Sequence, residues 1–137
     1  MYYKVFLDTN IYDGANYSFH NAMFSLLRKM TEDGALQLKI NSVVEGEVKK
    51  HIGRDVKVAA KKLLEAVKDR SLSSFRNIPS FQDYLMIPNP KDWVQKAEEE
   101  FEEFLISCNC DRISINGIDV EKIMENYFNQ KWPFEAA

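Results

Sequence analysis

Histidine and cysteine are scarce in this chain, two of each in 137 residues. Cys108 and Cys110 have a single residue between them, a spacing that rarely closes a disulfide. His20 and His51 lie far apart, so the chain lacks the grouped ligands that a structural zinc module needs. The two cysteines read instead as reduced thiols near a helix end. No run approaches the roughly 20 apolar residues that span a bilayer. The opening Met1-Tyr2-Tyr3-Lys4 is not a basic start leading into an apolar run and a small-residue cleavage site, so the expectation is a cytoplasmic protein with no membrane partner. No Gly-rich phosphate cradle and no nucleophile elbow occur, which disfavours a phosphatase-like or small-molecule hydrolase. Internal repeats and low-complexity tracts are also missing.

An apolar share of 45% and a charged share of 28% suit an ordinary soluble domain, and the length suits one core covering residues 1–137. The net charge of −3 hides a segregation. Between Lys49 and Arg70 eight basic residues face only three acids, whereas Lys91–Glu103 carries six acids against two lysines. The basic stretch is either a solvated helix face or a surface for a polyanion.

Hydrophobic spacing orders the elements. Lys4 to Leu7 is a short, near-continuous apolar run that predicts a strand buried on both faces, as in a parallel sheet. A helix is predicted from Phe19 with Ser18 as N-cap, carrying Met23, Leu26, Leu27 and Met30 on one face and ending at Gly34. Leu36 to Ile40 is a second strand. Ser42 then opens a long helix with Glu45 as capping-box partner, running to about Arg70 with a break near Gly53. Ser71 to Asn89 reads as irregular, with room for a short helix. Asn89-Pro90 starts the next helix, whose stripe is Trp93, Ala97, Phe101, Phe104 and Leu105. Arg112 to Ile115 is a third strand, and Asp119 caps a last helix with Val120, Ile123, Met124, Tyr127 and Phe128 on one face. Strands alternating with helices predict an α/β fold of three layers, α/β/α, around a small parallel sheet.

Ligand sites in such sheets lie beyond the carboxyl ends of the strands. Two places qualify. Asp8-Thr9-Asn10 follows the first strand, where a carboxylate is costly unless paired, hydrogen-bonded or bound to a cation; the alternative is an Asp capping a local turn. After the second strand, Glu45 has a local explanation as capping acid, whereas Glu47 lies beyond the first turn and is the better ligand candidate. His51, one turn on, either orients Glu47, meets phosphate or is an exposed helical histidine. Carboxylates from neighbouring strand ends suit Mg²⁺ or Mn²⁺, which prefer oxygen ligands and keep several waters. Such an ion lowers the pKa of a bound water and polarises a phosphodiester oxygen.

Val5-Phe6-Leu7-Asp8-Thr9-Asn10, then Val43-Val44-x-x-Glu47-Val48-x-x-His51, resembles the N-terminal half of PIN domains, and is similar to a bacterial PIN-like group. The likeness extends patchily through Ile118-Asp119-Val120 and Tyr127 to Glu135. It implies an α/β nuclease acting on RNA with Mg²⁺ or Mn²⁺, Asp8 and Glu47 as its first two acidic positions, and Asn10 as the neighbouring polar position. Lys49, Lys50, Arg54 and His51 would guide the nucleic-acid backbone. In that family a further acidic cluster and closing strand or strands follow the Pro133-Phe134 segment, whereas this sequence stops at Ala137. The expectation is therefore a PIN-like fold lacking its closing elements, with an unpaired sheet edge covered by self-association or by a completing partner. The alternative to an enzyme is a non-catalytic RNA-binding or assembly module completed by such a partner.

Overall fold

The structure is a computed structural model that describes residues 2–81 and 89–131. Residues 82–88 of the expected irregular stretch and the Trp132–Glu135 segment lie outside the described residues. Three parallel strands, β1 (Tyr3–Phe6), β2 (Leu36–Asn41) and β3 (Asp111–Ile113), form one sheet in the order β1-β2-β3. The helices are α1 (Thr9–Gly14), α2 (Ala22–Glu32), α3 (Ser42–Lys68), α4 (Pro90–Ser107) and α5 (Val120–Phe128), with a 3-10 helix at Arg70–Asn77. The α/β class and the small parallel sheet are as the spacing of apolar residues implied.

In β2, Leu36, Leu38 and Ile40 are buried and alternate with half-buried Gln37, Lys39 and Asn41. The inward row joins Tyr12, Phe19, Phe24, Val48, Ile52, Phe101, Phe104, Leu105 and Cys108 in one core. Helices α1 to α4 all enter this core, and at its centre is an aromatic cluster. The rings of Phe24 and Phe104 meet edge to face at 4.9 Å, and Tyr12 stacks on Phe24 at 5.9 Å. Such pairs each add about 0.5–1.5 kcal/mol beyond area burial. Burying Tyr12 anchors α1, which with six residues is too short to be stable alone.

Several boundaries differ from expectation, each for a local reason. β1 is an edge strand rather than one buried on both faces: Tyr3 is 70% and Phe6 49% exposed. On the outer face, Phe6 is in register with Lys39, whose ammonium pairs with Asp111 at 2.7 Å. Asp8 starts a helix that was not anticipated, and α2 begins later, with Asn21 rather than Ser18 as its N-cap. Phe19 reaches the core from the intervening loop, which turns through positive φ at Asn16 and Tyr17. Asn41, not Ser42, caps α3, its Oδ1 accepting from the Val44 amide at 2.8 Å. No break occurs at Gly53, where a Cβ would rest 3.7 Å from Val94 of α4. A helical Gly costs only about 1 kcal/mol, and packing against α4 outweighs that. α5 buries none of its residues, and Val120, Tyr127 and Phe128 are all more than half exposed.

Candidate functional site

Two strand ends build the site. The chain leaves β1 through Leu7, and Asp8 takes an extended conformation as N-cap of α1. Its Oδ1 accepts from the Thr9 amide at 2.8 Å. β2 delivers the chain into α3, which carries Glu47 into the same region. The buried Thr9 joins the two, since its Oγ1 donates to Glu47 Oε2 at 2.7 Å. One residue thus holds both carboxylates, through its amide on one side and its hydroxyl on the other. Asp8, Asn10 and Glu47 are themselves exposed, so solvent can reach them.

A second rung repeats the arrangement one turn along both helices. Asp13 of α1 faces His51 of α3, with Nδ1 at 3.0 Å from Oδ2. Tyr17 donates its hydroxyl to the same carboxylate. Burial pushes the Asp13 carboxyl up, but hydrogen bonds from Tyr17 and His51 and the charges of His51 and Arg54 outweigh it. The result lies below the ordinary carboxylate value of 3.8. His51 is therefore held by Asp13 rather than by Glu47, with a quarter of its side chain exposed. Neither Asp13 nor its pairing could be read from the sequence, because it depends on where α1 lies against α3.

The reading of Glu45 as a capping acid is corrected. With Asn41 as N-cap, Glu45 falls one residue too late for a capping box. It instead takes Lys49 at 3.8 Å and Arg112 of β3 at 3.6 Å, while Arg112 also reaches Glu102 of α4 at 2.6 Å. Glu45 thus ties α3 to β3 and α4. Of the expected phosphate guides, Lys49 is partly engaged by Glu45, and Arg54 donates to Asp55 at 2.9 Å. Lys50 is exposed and has no carboxylate partner among the described residues.

A family model described as a PIN domain matches residues 5–137. The chain belongs to the PIN-domain family. That family generally includes nucleases and typically uses divalent metals. No curated protein and no solved structure matches the chain. Two exposed carboxylates fit the hard oxygen chemistry of Mg²⁺ or Mn²⁺, which are commonly held by one or two protein carboxylates plus water and phosphate. No group of three or more His, Cys, Asp or Glu gathers as a metal cage among the described residues of this PIN domain. Among those residues, no helix is long and apolar enough to cross a membrane.

Proposed function

We propose that this PIN domain is a metal-dependent endoribonuclease that hydrolyses RNA phosphodiesters, with Asp8 and Glu47 as metal ligands. The observation that supports the reading is the Thr9 bridge, whose amide donates to Asp8 after β1 and whose hydroxyl donates to Glu47 of α3. Mg²⁺ or Mn²⁺ bound there would supply charge neutralisation on phosphate and a more acidic bound water. The chain's own part is positional. Thr9 fixes the direction of Glu47, Asn10 offers an amide next to Asp8 to orient a water or that carboxylate, and Lys50 meets the phosphate backbone from the next turn of α3.

The test is Asp8→Asn. Asn is as good an N-cap as Asp, so α1 and the fold are retained while the anionic oxygen is lost. Cleavage of a single-stranded RNA with Mn²⁺ is expected to fall to background, with an unchanged far-ultraviolet spectrum. Undiminished cleavage by the purified variant sinks the assignment.

A second reading rests on a specific observation: no group of three or more His, Cys, Asp or Glu that could hold a metal gathers among the described residues. On that reading the chain is a non-catalytic RNA-binding or assembly module completed by a partner, either another copy or a different protein. RNA binding without cleavage in either metal supports it.

A further inference from the structure

Lys50, Arg54, Lys57, Lys61 and Lys68 fall within about 60° of arc on α3, and the row runs about 27 Å from Lys50 to Lys68. It starts one turn from Glu47. About 15–21 Å along the helix from Glu47, Lys57 and Lys61 form one wall of a cavity of about 590 Å³. Lys91, in the first turn of α4, stands on the opposite wall, and Ala60, Leu64 and Pro90 supply apolar surface. The lining holds three lysines and no carboxylate. None of the three pairs with an acid among the described residues, unlike Lys49 and Arg54 nearer the site.

Three cations around an apolar floor suit a phosphate and an attached base: the ammonium groups take the anion and the floor takes the flat ring. A purely solvated basic helix face would have no such recess. The volume also falls in the range of cavities that hold small organic groups. We infer that this cavity is a substrate subsite, holding a nucleotide of the single-stranded RNA a few positions from the scissile phosphodiester. The basic row of α3 is then the track that joins it to Asp8 and Glu47. The inference rests on the hydrolase reading and adds to it a second contact region on the substrate, remote from the scissile bond.

The experiment uses the full chain carrying Asp8→Asn, so that bound RNA stays intact, and fluorescence anisotropy with labelled oligouridylates of two lengths. The longer should span both sites at about 12 nucleotides, and the shorter at about 2 should not. One variant set adds Lys57→Ala, Lys61→Ala and Lys91→Ala. A second removes the same charge elsewhere, through Lys62→Ala, Lys96→Ala and Lys122→Ala. Each phosphate contact on a single strand contributes a salt slope of about 0.7, which is about fivefold in affinity near 0.1 M salt. The cavity set should therefore bind the long strand about 100-fold more weakly, with the salt slope reduced by about 2, and the short strand almost as before. The control set should change either affinity by no more than about threefold, as expected of distant charges under screening.

Equal weakening by both sets overturns the subsite and leaves the nuclease reading standing, because attraction is then diffuse. No effect of the cavity set on the long strand overturns it as well. If the Asp8→Asn protein binds neither length, both this inference and RNA as the substrate fall together. Melting curves of each set, which replace exposed side chains, check that the fold is kept.

Discussion

Replacing Thr9 by Val removes one oxygen and keeps the shape of a side chain that is 5% exposed. What is lost is the 2.7 Å donation to Glu47 Oε2, while the backbone amide still serves Asp8. A hydrogen bond to a charged acceptor contributes about 1.5–3 kcal/mol, but Glu47 is exposed and water replaces part of it, so about 1 kcal/mol is expected. For a chain of this size that lowers Tm by about 3–5 °C. The larger effect falls on metal binding. Glu47 freed from Thr9 must be immobilised by the ion itself, and outer groups that orient ligands are worth about 10–100-fold in affinity. An exposed carboxylate belongs at the low end, so Mn²⁺ affinity should fall about tenfold, or about 1.4 kcal/mol. Thr9→Ser restores the donor and should bind Mn²⁺ within about twofold of the parent, although losing the methyl costs it roughly 0.8 kcal/mol of stability. Calorimetric titration of Mn²⁺ into all three proteins reads the result. Equal affinity for Thr9→Val and the parent would refute the bridge as the device that assembles the site, whatever happens to Tm.

Three further outcomes follow from particular contacts. The depressed Asp13 pKa means that its contribution to stability is present above the unfolded carboxylate value near 3.8 and is lost as pH falls below it. Asp13→Asn should therefore unfold at lower urea than the parent at neutral pH and converge on it in acid; parallel curves across that range would exclude the linkage. Burial pushes the Cys110 thiol up to about 12, with Cys108 beside it adding to the shift, and burial raises Cys108 too. Both should react with a thiol reagent far more slowly in the folded protein than in urea, and rapid native labelling would contradict their placement. The apolar side of α5, including Ile123 and Tyr127, is exposed, and we propose that a second copy or another chain covers it. Light scattering should show self-association of the chain alone, reduced by Ile123→Glu with Tyr127→Glu; a monodisperse parent monomer would remove the second-copy form of the proposal.

The sequence by itself determined the parallel α/β order and the long α3, because each rests on a long or strongly periodic apolar pattern that packing only reinforces; that β2 lies at the centre of the sheet was decided by the tertiary structure. It also singled out Asp8, which follows an apolar run, and Glu47, which lies beyond the first turn of α3, as candidate ligands. Caps were less legible: Asn41 and Ser42 are both good capping residues, and only the backbone angles choose between them, which in turn changed the meaning of Glu45. α1 was not legible, because a six-residue helix is stabilised by Tyr12 in a distant aromatic cluster rather than by its own periodicity. Tertiary structure alone decided the pairs Thr9–Glu47 and Asp13–His51, each formed across 38 residues of chain. Side chains that far apart meet only when two helices are set against one sheet, and the spacing that brings them together is a property of that packing, not of either segment.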